Sequence, residues 1–143
     1  MAKKNIENRL LAIIRIRGRT NVRQSIAETM KRLNLKRVNN LALLYANKSS
    51  MGMIKKCESF VTYGEISEEM LSKLMQKKGA KLEASQLAEL MQGKKSAKEL
   101  GMRVPFAMKP PRKGYEPIKK SYSIGGALGY RGEEINKLIG RMI

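Results

Sequence analysis

The sequence predicts an α+β domain whose first half runs β-α-β-α-β, and three observations lead there. Runs rich in Leu, Ile, Val and aromatic residues occur at residues 10–17, 40–46 and 60–63. Between them, apolar residues recur every three or four positions, the helical spacing. Gly, Asn and Ser punctuate the runs. With 143 residues the chain is long enough for one compact domain with its own core.

Residues 10–17 read as a strand closed by Gly18. Alternation places Leu10, Ala12, Ile14 and Ile16 on one face, with Leu11, Ile13, Arg15 and Arg17 on the other, so that second face starts apolar and ends basic. Asn21, with Gln24 three residues on, reads as a helix N-cap. Val22, Ile26, Met30 and Leu33 then line one side of a helix whose opposite side carries Arg23, Lys31 and Arg32. Residues 40–46 are the second strand. Residues 47–50 form a turn whose serines cap a short helix containing Met51, Ile54 and Cys57. The third strand, residues 60–63, ends at Gly64. This three-strand unit resembles a ferredoxin-like sandwich with helices covering one sheet face.

A helical segment follows. Ser67 caps it, Glu68 and Glu69 occupy its first turn, and Lys77, Lys78 and Gly79 close it, all in keeping with the helix dipole. A second helix is expected over residues 85–92, and Ser96 with Glu99 forms a capping-box pattern. From residue 104 the character changes. Pro105, Pro110, Pro111 and Pro117, with Arg112, Lys113, Lys119 and Lys120, make a basic irregular arm expected to be unordered before binding. The arm ends in a short helix with Ile135, Leu138, Ile139 and Met142 inward. The expected divisions are therefore residues 1–65, 66–103 and 104–143.

Charge narrows the function. Thirty Lys and Arg face twelve acids, a net +18, and every acid is Glu. Residues 1–60 are net +11, residues 61–100 net +1 and residues 101–143 net +6. The two basic ends are expected to converge on one polyanion. With no His and no Asp, Ser-His-Asp and Cys-His chemistry is excluded, and a lone Cys57 cannot build a zinc site. No metal or cofactor is expected. No apolar run approaches a bilayer span, the start lacks a secretory pattern, and Cys57 suits a reducing cytoplasm.

Two motifs carry the binding chemistry. Arg17, Arg19 and Arg23 surround a strand-to-helix turn with Thr20, where guanidinium forks and a helix N-terminus suit phosphate. Gly125, Gly126, Gly129 and Gly132 form a glycine-rich segment without the Lys-Ser or Lys-Thr of a phosphate loop. It reads either as a plain loop or as backbone lying close to RNA with Arg131 reaching a phosphate. Tyr45 and Tyr63 read as half-buried strand residues, so phosphate and shape recognition is favoured over base stacking.

Together these residues resemble the ribosomal large-subunit proteins of family thirty, called seven in eukaryotes, in the longer archaeal form. The similarity rests on residues 14–18 followed by Val22 and Arg23, residues 33–38, and residues 47–53. In the tail it rests on Gly125, Gly126, Gly129, Arg131, Ile135, Asn136, Leu138, Ile139, Arg141 and Met142. Short bacterial members stop near the third strand, in keeping with a boundary close to residue 65. The resemblance implies a three-stranded antiparallel sheet with two helices on one face, and further helices after it. It also implies binding to large-subunit (23S) rRNA beside neighbouring ribosomal proteins, and help in attaching 5S rRNA. Arg17, Arg19, Arg23, Arg37, Lys48 and Ser49 are the implied rRNA contacts, with Arg112, Lys113, Lys119, Lys120 and Arg131 from the tail. Arg15, Thr20, Lys55 and Lys56 complete the candidate set.

The expected function is a non-catalytic rRNA-binding constituent of the large subunit, in the cytoplasm. Its arm would bridge to a second RNA region or return across the body. Two rivals stay open at this point: a basic DNA-compacting protein, and an RNA-modifying enzyme built on Glu or Lys.

Overall fold

The computed structural model describes residues 10–18, 22–77, 106–115 and 117–142. The fold is α+β around a mixed sheet of five strands in the order β4-β2-β1-β3-β5. In chain order the elements are β1 (Leu10–Arg15), α1 (Gln24–Arg32), β2 (Asn40–Tyr45), α2 (Lys48–Lys56), β3 (Val61–Glu65), α3 (Glu68–Lys77), β4 (Phe106–Ala107), β5 (Gly129–Tyr130) and α4 (Ile135–Met142). The helices expected after residue 78, and Pro105, lie outside the described residues.

β1 is central. It pairs antiparallel with β2, placing Leu10 opposite Tyr45, and antiparallel with β3, placing Arg15 opposite Val61. β2 and β3 therefore run in the same direction on either side of it, with α2 linking them in the chain, a split β-α-β unit. The expectation of three antiparallel strands is corrected at both edges. β4 adds antiparallel to β2, and β5 adds parallel to β3. Each added strand is two residues long, too short to leave a period in the sequence.

The first two helices share one face of the sheet, as expected, and the later helices cover the other. All six residues of β1 are buried because both faces of the sheet are covered. Leu10, Ala12 and Ile14 pack with Leu71, Leu74 and Met75 of α3 and with Ile135, Leu138, Ile139 and Met142 of α4. Leu11 and Ile13, on the other face, pack with Met30 of α1, Ile54 of α2, Leu35 and Cys57. The tail is thus not a loose arm: of the two expected paths it takes the return across the body, where α4 supplies four buried apolar side chains.

Local chemistry sets the boundaries. α1 starts at Gln24 with Arg23 in the cap position and no side-chain cap, and Asn21 lies outside the described residues. It ends on a left-handed Asn34, with the Leu35 amide donating to the Met30 carbonyl and the Asn34 amide to Lys31. That is the Schellman arrangement, and Leu35 and Met30 seal it by packing together in the core. α2 is capped by Asn47 rather than a serine: its Oδ1 accepts from the Ser50 amide at 2.8 Å. Ser67 caps α3 as expected, its Oγ accepting from the Met70 amide. β3 continues through Gly64 to Glu65, so this glycine does not end the strand.

Candidate nucleic-acid interface

Strand direction sorts the charges. β1 ends where β2 and β3 begin, and the backbone amides of Ile16 and Arg17 both donate to the Phe60 carbonyl there. Arg17 leaves from this end with its guanidinium 5.2 Å from the centre of the Phe60 ring. Exposed Arg37 lies on the loop into β2, where the Asn39 amide donates to the Arg15 carbonyl. Lys55 and Lys56 occupy the last turn of α2, where the helix dipole favours cations, just before Phe60. The Cys57 thiol that follows donates to the Ile26 carbonyl, bringing the first turn of α1, opened by exposed Arg23, to the same end.

The tail joins them. The Met108 amide donates to the Asn39 carbonyl, and the Tyr115 hydroxyl donates to Asn39 Oδ1. The Arg112 amide donates to the Arg141 carbonyl, and Arg141 Nη1 returns a bond to the Gly114 carbonyl at 3.1 Å. Exposed Arg112 and Lys113 are therefore fixed beside the end of α4, close to the Asn39 corner. Lys113 has φ 66°, a left-handed turn position. Lys119 and Lys120 stand on a loop whose base, Ala127 and Leu128, packs on Ile16.

At the opposite end of the sheet lie Glu65, Glu68, Glu69, Glu133 and Glu134, at the close of β3 and the starts of α3 and α4. Asn136 ties these corners together, accepting from the Ser67 amide at 2.9 Å and donating to the Glu65 carbonyl at 3.2 Å. Lys48 and Ser49 also lie here, because they follow β2, whose Tyr45 is opposite Leu10. They are not gathered with the other candidates. Arg19 and Thr20 lie outside the described residues.

Two candidates are corrected by burial. Arg15 is 3% exposed, and its guanidinium donates to the carbonyls of Leu35, Arg17 and Gly18 at 2.8, 2.9 and 3.2 Å. Arg131 is 5% exposed; Nε donates to Thr62 Oγ1 at 2.8 Å and Nη2 to the Ala127 carbonyl at 2.9 Å, with the Tyr122 ring centre 4.9 Å away. Both hold the fold and present no surface to a phosphate. The glycine-rich segment is explained the same way: a Cβ on Gly126 would collide with the Lys120 backbone, and Gly125, Gly129 and Gly132 have positive φ. Lys36, Lys109 and Arg141 belong to the basic end and were missed. Lys36 adjoins Arg37 in sequence, whereas the place of Arg141 depends on where α4 docks.

Among the described residues no three His, Cys, Asp or Glu side chains cluster to hold a metal. Burial pushes the Cys57 thiol up, outweighing the lowering by Lys56 and Arg15, so it stays protonated. Burial likewise pushes Tyr63 and Tyr115 up to about 12. A folded-state value above the unfolded one favours the neutral phenol, so this contribution is complete below the unfolded value of about 10 and is lost as pH rises towards 12. Alkaline titration followed by tyrosine absorbance should show ionisation of these phenols coinciding with unfolding. In Tyr115→Phe the Tyr115 part of that loss disappears; ionisation of both phenols in the folded state would contradict the burial.

Comparison with known proteins adds to this geometry. The family described as Ribosomal protein L30p/L7e matches residues 11–61. The large ribosomal subunit protein uL30 of Nanoarchaeum equitans is 42% identical, covering 94% of this chain and 99% of its own length. That of Methanococcus maripaludis is 40% identical over 92% of this chain and 98% of its own length, and that of Thermoplasma acidophilum 40% over 94% and 93%. The chain belongs to the L30p/L7e family. The matched L30p/L7e stretch runs from β1 to the first residue of β3, so it contains Arg17, Arg23, Arg37, Lys55 and Lys56. The uL30 relatives carry the similarity over most of the chain.

Proposed function

We propose that this L30p/L7e protein binds large-subunit rRNA through the basic end of its sheet, as a structural, non-enzymatic constituent of the large ribosomal subunit in the cytoplasm. The observation that carries the reading is the convergence of Arg17, Arg23, Arg37, Lys55, Lys56, Arg112, Lys113, Lys119 and Lys120 at one end, while five glutamates lie at the other. Such a body presents its densest cationic surface to phosphate in one orientation. Lys48 and Ser49, with the start of α2, are assigned a separate RNA segment at the far end. A six-residue strand lies between the two ends, roughly 20 Å of sheet. Attachment of 5S rRNA would use both ends at once. Arg19 and Thr20, close to Arg17 in the sequence, are assigned to the basic-end contact. Among the described residues no helix is long and apolar enough to cross a membrane.

Sedimentation of cell extract tests the assignment: the protein should co-migrate with the large subunit and stay there after a moderate salt wash. Filter binding to a 23S rRNA transcript then tests the surface. The double variant Arg17→Ala, Arg37→Ala is expected to bind more weakly and to lower the log–log salt slope by about 1 to 2. Lys137→Ala, at the acidic end and paired to Glu134 at 3.1 Å, should change neither. Equal losses in both variants would remove the case for a polarised contact.

A further inference from the structure

The loop from Pro117 to Leu128 is closed by its own backbone. The Tyr122 amide donates to the Leu128 carbonyl at 2.7 Å, Gly126 to Ser121 at 2.8 Å, Ala127 to Pro117 at 3.0 Å and Leu128 to Lys120 at 3.2 Å. Arg131 bolts its base to β3 through Ala127 and Thr62 and lies over the Tyr122 ring. The shape is therefore set before any partner arrives. What it presents is unusual for a surface. Val38, Ile118 and Ile124 are the exposed large apolar residues among those described, and two of the three stand on this loop, Ile124 at 69% and Ile118 at 41%. Beside them are exposed Lys119 and Lys120, and residues 117–128 contain no acid.

We propose that this loop is a preformed RNA contact with two parts, in which Lys119 and Lys120 engage phosphates while Ile124 and Ile118 pack on the sugars and base edges between them. The inference rests on the rRNA-binding reading and adds a non-electrostatic part to it. RNA is the occupant because the only charged side chains within residues 117–128 are the cations Lys119 and Lys120, and because the base of the loop, on Ile16, is continuous with the strand end that carries Arg17. The wide, shallow minor groove of an A-form helix, or an unstacked loop, offers such apolar surface within reach of phosphate oxygens. Arg131 acts as a positioning residue, holding the loop without touching RNA.

Salt dependence separates the two parts, because only charge neutralisation releases counterions. Filter binding of the full chain to a 23S rRNA transcript should show Ile124→Ser weakened by about tenfold with the salt slope unchanged. Lys119→Ala with Lys120→Ala should instead lower the slope by about 1 to 2. Ile124 is exposed, so its serine variant keeps the fold. Full affinity in Ile124→Ser overturns the apolar contact while leaving rRNA binding intact. If the wild type shows no salt-dependent rRNA binding, the underlying reading fails instead. Unchanged affinity for rRNA with poor incorporation into subunits would assign the loop to a neighbouring protein, and also overturns the inference.

Discussion

Gly64→Ala is expected to lower the unfolding free energy by about 3 kcal/mol or more, measured by urea denaturation. Gly64 faces the start of α4, where a Cβ would collide with the Gly132 carbonyl oxygen and lie 2.9 Å from Ile135 Cβ. Neither obstacle is the end of a flexible chain. One is backbone, and the other is a β-branched side chain buried in the core. Relief requires β3 and the 132–135 turn to separate, which also strains the pairing of Thr62 with Gly129 and Tyr63 with Tyr130. Gly52→Ala is the control. That glycine is exposed inside α2 with nothing within 4 Å of a Cβ, so the substitution should raise stability by about 0.5–1 kcal/mol. If both variants behave alike, α4 is not seated on β3.

Arg15→Ala is expected to remove about 2–4 kcal/mol and to weaken RNA binding, although its guanidinium is buried. The side chain collects three carbonyls from two separated stretches, Arg17 and Gly18 on one side and Leu35 on the other. Those stretches carry Arg17 and lead into Arg37, so removing the fork leaves the buried Leu35 carbonyl without this donor and loosens the loops that aim both cations. Arg15→Lys keeps the charge but has a single head in place of a planar fork, and should recover less than half of either loss. Calorimetric melting with filter binding on the same samples checks the pair. A variant that melts normally and binds weakly would mean Arg15 touches RNA itself.

How much was legible follows from this difference. The helical faces of α1 and α4 and the three long strands were readable because each repeats a period over several residues, and the Ser67 cap because a serine before Glu68 and Glu69 is a local start signal. Arg15 and Arg131 were misread as surface contacts because nothing local distinguishes a cation that meets a phosphate from one that meets carbonyls. Their burial is set by segments 20 and 69 residues away. The same holds for β4 and β5, two residues each, whose pairing exists only through tertiary placement. Charge by region suggested that the two basic ends of the chain meet one polyanion. It could not divide Lys48 and Ser49 from the rest, since that depends on which end of a strand each loop leaves.

The two short edge strands and α4 have a consequence for how the protein is made. Synthesis delivers β1, β2 and β3 first, with α1 and α2 able to cover one face as they emerge. Until residue 142 has cleared the exit tunnel, part of the apolar cover over Leu10, Ala12 and Ile14 is missing, and the outer edge of β3 lacks its partner. An open edge beside uncovered apolar surface is the configuration that recruits another chain. The nascent protein is therefore most exposed to aggregation in the interval between the emergence of β3 and that of α4, when a chaperone or an early RNA contact would do the most good.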